Sequence, residues 1–170
     1  MTEQIVNWFV EGLKSAMPPE LVIALISMMP ILELRGGLLA AASLNVDIFT
    51  AIPLCILGNL LPIPFILWFI TPIFNALKKT KLFRPMVEKL EKKALSKSDR
   101  IQKGYFWGLA LFVGIPLPGT GAWTGSLIAA LLDIPKKKSI PAILVGIAIA
   151  TVIMSLASYG LLGSILALFR

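Results

Sequence analysis

The chain alternates apolar stretches of two lengths. Ile48 to Leu77 and Ser139 to Phe169 run for 30 and 31 residues without a charge, beyond the roughly 20 residues that a helix needs to cross a hydrocarbon core. They predict transmembrane helices over 48–77 and 139–168. The remaining apolar stretches stop half-way. Leu21 to Leu32 is 12 residues long before Glu33, and Gly36 to Val46 is 11 residues long after Arg35. Gly104 to Ile115 and Ala122 to Leu132 flank "PLPGTG", which a continuous helix would not accommodate. Each interrupted stretch is either one span with a broken middle or two short helices that turn back as a re-entrant hairpin.

Two more segments show a helical alternation of faces. Ile5, Val6, Trp8, Phe9 and Leu13 oppose Glu3, Asn7, Glu11 and Lys14, which predicts an interfacial helix over 2–17 that ends at Pro18 and Pro19. Leu82, Phe83, Met86, Val87, Leu90 and Leu95 interleave with charges, and predict a second interfacial helix over 82–103. Glu3 and Glu11 stand where a cleavable leader would be basic, so no signal peptide is expected.

Charge chooses between span and hairpin. The net charge is +7, and residues 78–103 hold ten Lys or Arg against three acids, which equals that whole excess. A basic run can face nucleic acid; between apolar spans it reads better as a cytoplasmic loop, and no nucleic-acid partner is expected. If both interrupted stretches crossed fully, Lys136 to Lys138 would lie on the opposite side from this loop. As hairpins over 20–46 and 104–133, both basic clusters share the cytoplasmic side, with Glu3, Glu11, Glu20 and Asp47 outside. The expected location is the cell (inner, cytoplasmic) membrane, crossed more than once.

The halves echo one another. Pro30 and Asp47 match Pro116 and Asp133 at an offset of 86, and "IPLCILG" at 52–58 matches "IPAILVG" at 140–146 at an offset of 88. The predicted fold is an all-α integral membrane protein, an inverted repeat in which each half has an interfacial helix, a re-entrant helical hairpin and one transmembrane helix. The halves are 1–77 and 78–170. Opposed broken helices of this kind are a recurring plan of secondary transporters. Two spans are too few to cover two hairpin tips, so a homodimer or larger homo-oligomer is expected among membrane lipids.

Composition narrows the chemistry. The chain is 57% hydrophobic, with no histidine and one cysteine, Cys55. Zinc clusters, Ser-His triads and disulfide frameworks are thereby excluded. Cys55 reads as a small core residue, and no metal or cofactor is expected.

What remains lies at the interruptions. Glu33 and Arg35 are two residues apart, opposite on a helix but on one side of an extended turn. Intramembrane charges cost roughly 2.5–3.5 kcal/mol each on insertion scales, which points either to a functional pair or to a buried salt bridge that fixes the turn. Burial favours a neutral Glu33 able to carry a proton, while Arg35 favours its carboxylate. Gly36 belongs to the same turn. In the second interruption, Pro118, Gly119, Thr120 and Gly121 precede a short helix whose N-terminus would favour an anion, with Thr120 a candidate N-cap; the same residues could equally make only a tight turn. Asn59, Trp123 and Thr124 are further candidate lining residues, and each also suits plain helix packing.

At "ELRGG" and "PLPGTGAWTG" the chain resembles the small multi-drug export protein family, over nearly its whole length. That resemblance implies a relation to the DedA superfamily of membrane proteins, which carry two opposed re-entrant hairpins. It further implies movement of lipid phosphates, notably undecaprenyl phosphate, with proton coupling through acidic and arginine residues at the hairpins. The arginine-proline-arginine signature of typical DedA members is absent here.

Together these features predict a transporter rather than an enzyme, with a central site of Glu33, Arg35 and the Gly119 to Gly121 turn. An anionic amphiphile such as a polyprenyl phosphate suits Arg35 and a helix N-terminus. A proton-coupled exporter of cationic drugs, using Glu33 as counter-ion, is the alternative. An intramembrane lipid phosphatase and a non-transporting scaffold complete the set.

Overall fold

The computed structural model describes residues 2–13, 16–95, 104–117 and 119–160. Every regular element among them is a helix, and no strand occurs: α1 (Thr2–Leu13), α2 (Pro19–Met28), α3 (Glu33–Ser43), α4 (Ile48–Leu60), α5 (Pro62–Lys78), α6 (Arg84–Leu95), α7 (Tyr105–Gly114), α8 (Ala122–Leu131) and α9 (Lys136–Ser158). Two helical stretches are long and apolar enough to cross a membrane, Ile48–Lys78 with mean hydropathy 2.0 and α9 with 2.5. α2, α7 and α8 are apolar but only 10 residues each, too short to cross.

Several boundaries differ from those expected. The stretch 48–77 is divided at Leu61, because Pro62 lacks the N–H that would continue α4 and its fixed φ suits the first position of a new helix. α1 is described to Leu13, with residues 14–15 of the expected helix outside the described residues, and α6 starts only at Arg84. α9 begins at Lys136 rather than 139, directly after Pro135, and its first turn carries Lys136 to Lys138. Residues 96–103 and 161–170, where the second interfacial helix and the last span were expected to end, lie outside the described residues.

The chain packs as two units: residues up to 61 with the described residues from 147 onward, and residues 62–146. α5 packs with α6 and α8, and α9 is divided after Gly146.

In the first unit α2, α3 and α4 pack on one another and α1 packs on α2 and α3. Small residues let the backbones approach. A Cβ on Gly37 would collide with Ser27 Oγ, and one on Gly58 with the carbonyl oxygen of Ala24. Lipid supplies no hydrophobic drive between helices, so close packing of this kind is a main source of association in a bilayer. Ser27 donates to the Ile23 carbonyl at 2.8 Å, and Ile23, Ile26, Leu34, Leu38, Ala51 and Cys55 are buried around it. Tyr159 closes the unit by donating its hydroxyl to the Val46 carbonyl at 2.8 Å.

The second unit repeats the device. A Cβ on Gly125 would lie 2.7 Å from Val113 Cγ2, and one on Gly146 would lie 2.5 Å from Val113 Cβ and 2.7 Å from the Ala110 carbonyl oxygen. Leu109, Ala110, Val113, Ile128, Ala129 and Ile143 form its buried apolar centre. Lys78 and Glu91 pair at 2.5 Å between α5 and α6.

The elements correspond at the offsets legible in the sequence. α2 and α7 start and end 86 residues apart, at 19 and 105 and at 28 and 114. From the turn onward the offset is 88: α4 and α9 start at 48 and 136. Asn45 and Asp133 both adopt positive φ, 53° and 50°. Val46 and Ile134 donate to the carbonyls of Ala41 and Ala129 at 2.9 Å each. Asp133 thus matches Asn45, not Asp47, because the second tip is two residues longer.

Asp47 has its own work. Its side chain accepts from the Phe49 N–H at 2.9 Å and caps α4. Asp47→Ala is expected to cost about 1 kcal/mol, the usual value for an N-cap, with Asp47→Asn nearly neutral; thermal unfolding in detergent measures both.

Candidate functional site

Both interruptions begin with a proline that ends a helix. Met29 before Pro30 is extended (φ −73°, ψ 135°), as is Ile115 before Pro116 (φ −80°, ψ 121°), since a proline ring disfavours helical geometry in the preceding residue. The chain then turns through left-handed backbone. In the second tip Gly119 and Gly121 take φ of 75° and 129°, where glycine carries no steric penalty. In the first tip the positions 88 residues earlier are Ile31 and Glu33, with φ of 80° and 51°. Non-glycine residues held there cost about 1–3 kcal/mol each. The first tip is strained where the second is relaxed.

Glu33 opens α3, its N–H donating to the Met29 carbonyl at 3.0 Å. It is 4% exposed, the only charged residue in the buried set among the described residues. Arg35, two residues further on, is half-buried. The two residues do not lie in the extended turn that was expected. Both residues sit in the first turn of α3, and the positive φ of Glu33 marks a departure from regular helix geometry. An acid in a first turn also complements the helix dipole. Gly36 is buried, and a Cβ there would lie 2.8 Å from Leu32 Cβ and 3.2 Å from Ile26 Cγ2; it serves the packing of α3.

Thr120 is not the N-cap of α8. Gly121 occupies that position with no side-chain cap. The Thr120 hydroxyl faces back into the turn, 2.8 Å from the Ile115 carbonyl and 2.7 Å from that of Leu117, and accepts from the Leu117 N–H at 3.2 Å. Trp123 and Thr124 are half-buried in the first turn of α8. Pro118 lies outside the described residues. Neither α3 nor α8 has a side-chain cap at its start.

Asn59 is 2% exposed in α4, and its Oδ1 has no hydrogen-bond partner. Ser155 in the same unit is also buried with an unpartnered hydroxyl. A buried polar group left so costs about 1–3 kcal/mol, which makes both notable. Sequence reasoning reached Asn59 and missed Ser155, whose only signal is a small polar residue within an apolar helix. In the second unit Ser126 shares this property. Among the described residues no group of three or more His, Cys, Asp and Glu is placed to hold a metal ion.

No curated protein and no solved structure matches the chain. A family does, and the match begins at Glu33, the strained acid of the first tip, and extends through the second tip to Ile153 in α9. With residues 33–153 matched, well over half of its length, the chain belongs to the family described as "putative small multi-drug export protein".

Proposed function

We propose that this export-family protein is a secondary transporter, not an enzyme, whose two helix–turn–helix tips enter the membrane from opposite faces as an inverted repeat of re-entrant hairpins. Its substrate is an anionic amphiphile such as a polyprenyl phosphate, undecaprenyl phosphate among them, moved in exchange for protons. The observation that carries this reading is Glu33: a buried acid in strained backbone at the start of α3, two residues before Arg35. Strain of this kind persists where the surroundings enforce it and clusters at functional sites. Support for the repeat comes from helix bounds and turn hydrogen bonds that recur at 86 and 88 residues. Support for an anion comes from Arg35, a half-buried guanidinium in the first turn of α3. A relation to DedA proteins, a location in the inner membrane and a homodimer that covers the tips belong to the same proposal.

Export of cationic drugs is the second reading. It is favoured by the family description and by the buried carboxylate itself, which would exchange a proton for the cation. Flux in proteoliposomes separates the two. With a pH gradient imposed, the first reading expects a labelled polyprenyl phosphate to cross and a lipophilic cation to be left behind. Transport of the cation alone would replace the first reading by the second. Single cysteines at positions 20, 47 and 135, labelled from each side, test the hairpins: 20 and 47 are expected on one side and 135 on the other.

A further inference from the structure

The repeat also breaks away from the tips. In the first unit Tyr159 reaches from the end of α9 to the Val46 carbonyl, in the turn between α3 and α4. The residues 88 positions away, Thr71 and Ile134, belong to the second unit, where α5 meets the turn between α8 and α9. Threonine is far smaller than tyrosine. The Thr71 hydroxyl reaches only the Ala130 carbonyl, at 3.4 Å, and a cleft of about 310 Å³ lies between Trp68, Thr71, Asp133 and Lys136.

The lining is chemically specific. It has one cation and one anion. The Lys136 ammonium sits 5.7 Å from the centre of the Trp68 ring, a cation–π placement that holds it at the cleft. Lys136 is also the first residue of α9, preceded by Pro135, which has a short side chain without a capping oxygen, so the N–H groups of that first turn add positive potential. Elsewhere on its surface α5 exposes Phe65, Phe69 and Ile73, apolar side chains in a stretch suited to a membrane. The volume is at the lower end of the roughly 300–1,000 Å³ of small-molecule pockets. It admits a headgroup and leaves acyl chains to lie along α5.

We propose that this cleft binds the headgroup of a phospholipid that joins a phosphate to a primary ammonium, the ethanolamine class. Lys136 donates to the phosphate, Asp133 accepts from the ammonium, and the Trp68 ring flanks both. A purely anionic headgroup would leave Asp133 opposed to a like charge, and a choline headgroup has no N–H to donate to it. The site is independent of the transport reading, since none of its residues lies at either tip.

Native mass spectrometry of the detergent-purified protein tests this, using phosphatidylethanolamine, phosphatidylglycerol and phosphatidylcholine of identical acyl chains. Wild type is expected to retain the ethanolamine lipid about tenfold better than the other two, the worth of one charge-assisted hydrogen bond. Asp133→Asn is expected to erase the preference over phosphatidylglycerol, and Lys136→Gln to weaken both. Thr71→Tyr, which restores the ring present at the matching position, is expected to abolish retention of all three. Equal retention of the three lipids by wild type overturns the proposal, as does a folded Thr71→Tyr protein that binds like wild type. Complete displacement of the lipid by an equal concentration of soluble glycerophosphoethanolamine would reject a membrane lipid as the ligand. Asp133 and Lys136 are exposed, so their substitutions remain informative even if Thr71→Tyr does not fold.

Discussion

Gly58→Ala is expected to lower stability by about 3 kcal/mol, the upper end of the overpacking range, seen as a fall of roughly 6–12 °C in the thermal midpoint for a chain of this size. The reason is the identity of the obstacle. A Cβ at Gly58 meets the backbone carbonyl of Ala24 and then Ser27 Cβ at 3.0 Å, and a helix backbone cannot swing aside as a side chain can. Gly146→Ala meets Val113 Cβ and the Ala110 carbonyl and should follow closely. Gly125→Ala meets only side-chain ends, Val113 Cγ2 and Leu109 Cδ1 among them, and should be milder. At Gly12 in α1 an added methyl group would have nothing within 4 Å, so Gly12→Ala should stabilise by about 0.5–1 kcal/mol through helix propensity alone. An inverted order in thermal unfolding, with Gly12→Ala the most harmful, would show that α2 and α4 do not approach as described.

Glu33→Gln is expected to reduce proton-driven flux by tenfold or more, about 1.4 kcal/mol or more on the barrier. Glutamine retains the volume and the hydrogen-bonding ends of the side chain but can neither release a proton nor carry the charge felt by Arg35. Fold and function separate in the Arg35→Ala protein. There the buried carboxylate loses its compensating charge, which in the interior costs about 3–5 kcal/mol, so stability should fall along with flux. In Glu33→Gln stability should hold while flux falls. If Glu33→Gln proteoliposomes transport at the wild-type rate, the acid carries no coupling proton, and its strained backbone serves the turn alone.

Much of this organisation is legible in the chain itself. Prolines 30 and 116 end α2 and α7 at the expected places, and the pattern "IPLCILG" against "IPAILVG" carries the 88-residue offset and the two glycines, Gly58 and Gly146, that bring helices together. The left-handed glycines of the second tip are likewise visible, since Gly119 and Gly121 are what such a turn requires. Their counterparts are not. Nothing about isoleucine or glutamate announces a positive φ, so the strain at Ile31 and Glu33 is a consequence of tertiary packing that local preference opposes. The pairing of α5 with α6 and α8 was hidden for a different reason: up to Lys78 at its end α5 carries no charge, so little marks which neighbour its apolar length meets. Thr120 misled because a threonine before a short helix suits a cap, whereas here the turn's own carbonyls claim its hydroxyl.

The division of α9 between the two packing units bears on how the protein is made. Its first half, to Gly146, belongs with residues 62–146, while the part from Ile147 belongs with the beginning of the chain. A ribosome emitting this polypeptide delivers α1 to α4 first, and the Tyr159 hydroxyl that closes them follows 113 residues after Val46. These helices therefore wait, unfinished, for that partner, and a chain released before residue 147 would leave them exposed to quality control.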